Sequence, residues 1–361
     1  MLRVIATLAI SLAIIFANQQ ALGENANFVG SVGCKSSSCH GGAGEKRSQY
    51  ITWSQKDFHT RAYAILLDAR SARIGEALGI PQTQSSGRCT VCHSPFQSVA
   101  TDRLSSTART DEGVSCENCH GAAEPWLRGH TRTDWTYATR VSAGMHDLRS
   151  LYVRANACVA CHQNVDADIL KAGHPELVFE LDSQSVNEPK HWRDEDSATG
   201  PRSWLVGQAV ALREITWALI KSPKEEQDRL VAEMSALTWL LDKTGQGESV
   251  SRFNSFPGIQ LRADEIAKRA ATWNPTNDEL MSILRTLAAS DSEFQSAGAS
   301  HENRFYLALR LTLAIDRLSV GLNLSAKLQK ELSALRTDVQ RHYDFDPAAF
   351  AQHLRALRSK L

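Results

Sequence analysis

Eight cysteines fall into four pairs, and a histidine directly follows the second cysteine of every pair. The four motifs are Cys34, Cys39 and His40; Cys89, Cys92 and His93; Cys116, Cys119 and His120; and Cys158, Cys161 and His162. A disulfide framework and a zinc ribbon both use paired cysteines, but neither needs a histidine in this fixed position. Covalent attachment of c-type haem does need it, because two thiols a helical turn apart form thioethers and the adjacent histidine binds the iron. The pattern therefore predicts four covalently bound haem c groups with these four histidines as proximal ligands.

The first motif departs from the other three, because four residues separate Cys34 from Cys39 where the others have two. A longer loop can still bring both sulfurs to one porphyrin, so we interpret this motif as a haem site as well.

The N-terminus predicts export. Arg3 precedes a mostly apolar run over residues 4–17, and Ala21-Leu22-Gly23 offers small residues at a cleavage site. This run is short for a bilayer core of about 30 Å, so residues 1–23 are interpreted as a cleaved signal peptide, with an uncleaved anchor as the alternative. The protein is then periplasmic or otherwise exported, and no other segment invites a membrane span.

Composition excludes two further classes. With 42% hydrophobic and 22% charged residues, the 361-residue chain is of ordinary globular type and is not intrinsically disordered. Forty Lys and Arg residues balance forty Asp and Glu residues, so no basic field predicts a nucleic-acid partner.

Two domains are predicted after the signal. Residues 28–200 hold all the haem motifs and are rich in Gly, Ser and Thr, so we expect a tetrahaem domain with little regular secondary structure, packed around the porphyrins and unfolded without them. Residues 203–361 contain no cysteine and show helical apolar spacing, which predicts an α-helical bundle and a mainly α protein. Helix starts are predicted at Ser222-Pro223, at Thr276 with Glu279, at Ser325 and at Asp346 before Pro347.

The second axial ligand of each iron separates electron carriers from catalysts. Met145 is the one methionine in the haem segment, so His/Met ligation cannot be general. Five histidines lie in the segment outside the motifs and are the candidate distal ligands: His59, His130, His146, His174 and His191. Ligation by two histidines closes the coordination sphere, which favours electron transfer, and no catalytic residue is predicted.

The segment 28–182 resembles the multihaem cytochrome c-554 family, which is related to the haem cores of hydroxylamine oxidoreductase and pentahaem nitrite reductases. The similarity is carried by Gly113–Gly121, Arg128-Gly129-His130, Ala172-Gly173-His174-Pro175, and Trp53 followed by Asp57-Phe58-His59. The resemblance implies a crossed pattern of ligands: His59 for the iron of His162, His130 for that of His40, and His174 for that of His120.

The haem of His93 is left without an implied partner. His191 is the favoured candidate and His146 the other, whereas a haem with neither would be five-coordinate and could act as a redox enzyme on a small nitrogen or sulfur compound. An electron carrier is favoured over that enzyme, and a scaffold with purely structural haems is a third alternative.

Redox partner proteins, a donor and an acceptor of unknown identity, are implied by electron transfer. Residues 24–200 carry 18 Lys and Arg against 21 Asp and Glu, a balance of −3, to which haem propionates would add. We therefore expect weak, salt-dependent docking to a basic partner.

Overall fold

The computed structural model describes residues 26–193, 199–245, 249–253, 255–295 and 298–361. Within these residues the chain is mainly helical and has no β-strand, apart from one isolated parallel bridge between Phe28 and Leu104. The predicted mainly α class is confirmed, but the expectation of little regular secondary structure in residues 28–200 is wrong, because nine short α-helices lie between residues 49 and 187. The predicted signal peptide, residues 1–23, lies outside the described residues.

The chain forms two compact units. Unit 1 comprises the residues up to Ala157 together with Asp168–Pro175 and Glu188–Trp192. Unit 2 comprises Cys158–Ala167, Glu176–Asn187 and Arg193–Leu361. The fourth cysteine pair therefore belongs to the same unit as the C-terminal helices.

The helices that precede residue 193 are short. They are α1 Gln49–Lys56, α2 Ala62–Ile65, α3 Ala69–Leu78, α4 Gly87–His93, α5 Cys116–His120, α6 Tyr137–Ser142, α7 Leu151–His162, α8 Ala167–Lys171 and α9 Leu181–Asn187. The ends of α3 show why such a segment stays short. The Asp68 side chain accepts a hydrogen bond from the Ser71 amide at its start, and Gly79, with φ of 66°, ends it in the left-handed conformation.

Longer helices build the C-terminal part of unit 2. They are α10 Thr199–Lys221, α11 Gln227–Thr244, α12 Phe256–Ala270, α13 Asn277–Ala288, α14 His301–Gly321, α15 Gln329–Asp338 and α16 Pro347–Arg358. Thr276 and Glu279 form the predicted capping box of α13, and Asp346 caps α16 before Pro347. Both predicted start signals are confirmed.

Two other predicted starts are wrong. The Ser222 hydroxyl donates to the Ala218 carbonyl of α10, so it closes the preceding helix, and a 3₁₀ turn over Lys224–Glu226 leads into α11. Ser325 also caps no helix, because α15 begins at Gln329 after Leu328. In both places a serine before an apolar run matched the local pattern, but its side chain does not cap the helix that follows.

The core of unit 2 is apolar and lies between these helices. On α10, every residue from Trp204 to Leu212 is buried, and Gln208 is the one polar side chain among them. This helix is buried because it packs against α11, α12 and α14. One charged pair, Arg310 of α14 with Glu233 of α11, is buried in the middle of this core.

Unit 1 has a thinner apolar core and relies on polar ties to the backbone. The buried Glu117 carboxylate accepts hydrogen bonds from the amides of Val29, Gly30 and Ala123 at 2.7–3.0 Å. Glu112 similarly accepts from the amide and hydroxyl of Ser31. These carboxylates attach residues 29–31 to the third cysteine motif.

No helix within the described residues combines the length and apolarity that a membrane span requires.

Candidate haem-binding site

Three of the four cysteine motifs lie on helices. The motif of Cys89 ends α4, that of Cys116 forms α5, and that of Cys158 ends α7. Residues three apart on a helix share one face, so each pair of thiols points to one side of its helix. No disulfide joins any two of the eight cysteines, all of which lie within the described residues.

The first motif folds differently, as its longer spacing requires. Cys34 follows a 3₁₀ turn over Ser31–Gly33, and the Cys39 amide bonds to the Ser36 carbonyl in a second turn. The His40 amide donates a hydrogen bond to the Cys34 carbonyl at 3.3 Å. This loop brings the two ends of the motif together without a helix.

Each of the three motif histidines in unit 1 faces a histidine from a distant part of the sequence. The ring centroids of His40 and His130 are 6.1 Å apart, those of His93 and His174 are 6.3 Å apart, and those of His120 and His191 are 6.4 Å apart. A bond between a metal and an imidazole nitrogen is about 2 Å long and the ring centre lies about 1 Å beyond the nitrogen, so two imidazoles on opposite sides of one metal ion have centroids about 6 Å apart. The three pairs have this separation.

The hydrogen bonds of four of these six histidines leave Nε2 available. His40 Nδ1 lies 3.0 Å from Gln49 Oε1, and His93 Nδ1 lies 3.0 Å from the Ala62 carbonyl. In the partner rings, Nδ1 of His130 contacts the Leu127 carbonyl at 2.6 Å, and Nδ1 of His174 contacts the Pro175 carbonyl at 2.8 Å. Because each contact is to an acceptor, Nδ1 carries the proton and the Nε2 lone pair can bind a metal.

Burial favours the neutral form of three of these imidazoles. It lowers the pKa of His93 and His191 from the usual value, and it lowers the pKa of His120 to about 4. A buried, neutral imidazole is the form that binds a metal ion at neutral pH.

Two of the observed pairings differ from those expected, one implied by the family resemblance for His174 and one favoured among the remaining histidines for His191. His174 lies opposite His93 rather than His120, and His191 lies opposite His120 rather than His93. His130 lies opposite His40, where the resemblance places it. Proximity along the sequence carries no information on such pairs, since each joins segments that only the tertiary fold brings together.

The fifth candidate, His146, lies against the backbone of the third motif. Its amide donates to the His120 carbonyl, and its Nδ1 lies 2.9 Å from the Cys119 carbonyl. Its ring occupies the space where a side chain at Gly121 would be, within 2.9 Å of an added Cβ. His146 therefore packs on the motif segment rather than opposite a second imidazole.

Two carboxylates lie close to His59, and sequence reasoning assigned a role to neither. Its Nδ1 lies 3.0 Å from Asp57 Oδ1, and its amide donates to the same oxygen at 2.9 Å. A ligand atom of Glu188 lies within 4.8 Å of those of Asp57 and His59. Asp57, two residues before His59, could have been found as a helix cap, whereas nothing in the sequence marks Glu188.

Hydrogen bonding and burial shift the pKa values of the side chains in this cluster. The hydrogen bond to Asp57 raises the pKa of His59, whereas burial raises the pKa of Glu188. Burial also opposes ionisation of Asp57, but the bonds from His59 outweigh it and lower the pKa of the Asp57 carboxyl.

A glycine allows the close approach that fixes His59. Gly113 has φ of 74°, and a Cβ at this position would lie 2.5 Å from the His59 carbonyl oxygen. The next residue, Val114, donates its amide to that carbonyl at 3.0 Å. The segment before the third motif therefore supports the backbone of His59.

The fourth motif is held by polar side chains of unit 2. Gln163, which follows His162, donates to Glu233 at 3.1 Å and accepts from the Phe179 amide at 3.2 Å. The Gln184 side-chain amide lies 3.5 Å from His162 Nδ1. His59 and His162 belong to different units, so their pairing stays a prediction.

Large apolar side chains are exposed beside the motifs of unit 1. Phe58, Ile65, Leu67 and Val91 are 74%, 48%, 61% and 52% exposed. Apolar side chains grouped in this way favour an apolar ligand surface. Paired thiols, facing imidazoles and exposed apolar side chains together fit a c-type haem.

Residues 34–121 match the family model described as cytochrome c554 and c-prime. The match covers about a quarter of the chain and includes the first three cysteine motifs. It supports a c-type cytochrome with covalently bound haem that functions in electron transfer. No curated protein and no solved structure matches the chain.

Proposed function

We propose that the protein is an exported tetrahaem c-type cytochrome that carries electrons between redox partners through haems ligated by two histidines each. The single observation that carries this proposal is the set of three facing imidazole pairs at 6.1, 6.3 and 6.4 Å. Each pair joins a histidine of a haem-attachment motif to one outside the motifs.

The pairs assign axial ligands within unit 1. His130 serves the iron of His40, His174 that of His93, and His191 that of His120. For the fourth motif we retain His59, which the family resemblance implies. His146 then has no iron to bind.

Bound haem supplies the one-electron iron couple, and the residues of the chain attach, orient and enclose it. The thiols would form the thioethers, and the Nδ1 acceptors of His40 and His93, Gln49 and the Ala62 carbonyl, would orient these two rings for binding through Nε2. With an imidazole on each side the iron has no open position, which suits transfer of electrons without bond making.

The alternative of a redox enzyme needs an open iron at the motif of His93. The ring of His174 lies opposite His93, and this contact favours the carrier. We therefore expect no change in the spectrum when nitric oxide is added.

The number and ligation of the haems test the proposal directly. Pyridine haemochrome absorption and intact mass of the matured protein are expected to give four haems, and the electron paramagnetic resonance (EPR) spectrum is expected to contain low-spin signals. Fewer haems, or a high-spin signal in the unmodified protein, would contradict the proposal.

A matched pair of variants tests the ligand assignment. His174→Ala is expected to convert one haem to high spin, because it removes an axial imidazole. His146→Ala, which removes an equivalent side chain from the same unit, is expected to leave every haem low spin. The reverse result would indicate that His146, and not His174, is the axial ligand.

The partner is proposed to be a basic redox protein, because residues 24–200 carry a net charge of −3 before any propionates are counted. The rate of electron exchange with a basic donor is then expected to fall as ionic strength rises, since salt screens charges beyond about 10 Å at 0.1 M. A rate unaffected by salt would remove the electrostatic part of the proposal.

A further inference from the structure

The proton-accepting partners of the histidine Nδ1 atoms differ in charge. His40 faces the side-chain amide of Gln49, and His93 and His174 face the backbone carbonyls of Ala62 and Pro175. These acceptors are neutral. His59 instead faces the carboxylate of Asp57 at 3.0 Å.

The environment makes this carboxylate a strong acceptor. The Asp57 side chain is only 5% exposed, so water competes little for its oxygens. Glu188 places a second carboxylate within 4.8 Å of the same imidazole. The segment before the third motif also holds the backbone of His59 through the amide of Val114. Hydrogen bonds therefore hold His59 both at its backbone carbonyl and at its ring Nδ1.

A carboxylate on Nδ1 changes what the opposite nitrogen can donate. It draws the Nδ1 proton toward itself, which makes Nε2 more basic and a stronger ligand to a metal. A stronger donor stabilises the oxidised iron relative to the reduced iron, and this lowers the reduction potential. A neutral carbonyl or amide acceptor has the same effect to a smaller extent, because it carries no full charge.

We propose that Asp57, supported by Glu188, is a positioning residue that acts through His59 to lower the reduction potential of the haem whose iron His59 binds. This inference rests on the proposed function, because it takes His59 to be an axial ligand. The potential of this haem is then lower than it would be with a neutral acceptor at Nδ1 of His59.

Substitution of Asp57 by Asn removes the negative charge and leaves the size of the side chain nearly unchanged. Asn retains a side-chain oxygen that can accept from the His59 amide, so the 3₁₀ turn over Phe58–Arg61 keeps its cap. In a spectropotentiometric titration of the holoprotein, D57N is expected to raise one of the four midpoint potentials and leave the other three in place. The EPR spectrum is expected to stay low spin, because the axial ligand remains.

Three further variants complete the test. D57E restores a carboxylate and is expected to return the shifted potential toward its original value. E188Q is expected to shift the same haem in the same direction by less. Asp102→Asn removes one charge from an exposed position of unit 1 and is expected to move none of the potentials.

The outcomes separate this inference from the proposed function. Four low-spin haems in the unmodified protein with unchanged potentials in D57N would overturn the role of Asp57 and leave the cytochrome intact. Equal shifts in D57N and D102N would overturn it too, because they would indicate a general charge effect. A haem count below four, or a fully low-spin spectrum in His59→Ala, would instead remove His59 as a ligand and the proposed ligation with it. A potential that shifts when EDTA is added would indicate a cation held by Asp57, His59 and Glu188, and it would overturn the direct hydrogen bond.

Discussion

The two units of this protein are held together by different means. Within the described residues, nine apolar side chains are buried in unit 1 and 45 in unit 2. Unit 1 fixes its loops by carboxylates such as Glu117. Unit 2 buries continuous apolar faces of α10, α11 and α14.

The difference indicates what each unit needs in order to fold. A unit that buries little apolar polypeptide surface cannot offset its loss of conformational entropy, unless a ligand supplies the missing surface. In unit 1 the proposed porphyrins supply it, so binding energy is also folding energy. Most of unit 2 has a core of its own side chains. Four predictions test this comparison, beginning with the largest expected effect.

Preventing haem attachment is expected to unfold unit 1 and to spare the C-terminal helices. In full-length protein produced without haem ligation, hydrogen exchange should lose protection over residues 26–157 and retain it over α10 to α14. Mass-resolved exchange of peptides from the apo and holo proteins measures both units in one sample. Protection of both units in the haem-free chain would contradict the proposed difference between them, because unit 1 would then fold on its polypeptide core alone.

Loss of the buried charge Arg310 is expected to destabilise unit 2 severely. Its guanidinium bonds to Glu233 and to the Phe179 carbonyl, with no exposure to solvent. Removing one partner of a buried ion pair costs about 3–5 kcal/mol, so Arg310→Met should lower the free energy of unfolding by about that amount. Urea denaturation followed by far-UV circular dichroism measures the change.

The matched control for this variant is Arg341→Met, which removes an exposed arginine paired with Asp344. An exposed pair contributes about 0–1 kcal/mol, so its loss should change little. Equal effects of the two substitutions would show that the buried pair has no special role.

A smaller core deletion tests the packing of unit 2. Leu237 of α11 is fully buried, and Leu237→Ala should lower the free energy of unfolding by about 2–5 kcal/mol, because it leaves a cavity. Leu261→Ala on α12 is the control, since that side chain is 69% exposed and its loss creates no cavity. The Soret spectrum is expected to be unchanged in both variants, and a change in L237A would indicate that this core supports the fourth cysteine motif, which lies in the same unit.

The smallest effect is expected at the capping box of α13. Thr276→Ala removes the side-chain acceptor of the Glu279 amide and should cost about 1 kcal/mol. Thr286→Ala within the same helix removes a hydroxyl that bonds only to the Ser282 carbonyl, and it should be close to neutral. Thermal unfolding of the two variants side by side measures the difference, and a larger loss in T286A would contradict the capping role.

Sequence reasoning predicted the elements that short-range chemistry determines. The capping box at Thr276 and the Asp346–Pro347 start were found because their bonds join residues within one turn. The starts predicted at Ser222 and Ser325 failed, because serine is equally able to bond backward into a preceding helix or to cap nothing. Among the helices of residues 203–361, the interiors were more predictable than the ends.

For the site, the sequence by itself determined the attachment chemistry: four cysteine pairs with their histidines and a supply of further histidines, since these are fixed by residue type and spacing. Only the tertiary structure decided which rings face each other, including His174 opposite His93 and His191 opposite His120. It also placed Asp57 and Glu188 around His59 and the fourth motif in unit 2. The physical reason is that a covalent motif is local, whereas a ligand pair and the charges around it join chain segments whose meeting depends on the packing of the whole unit.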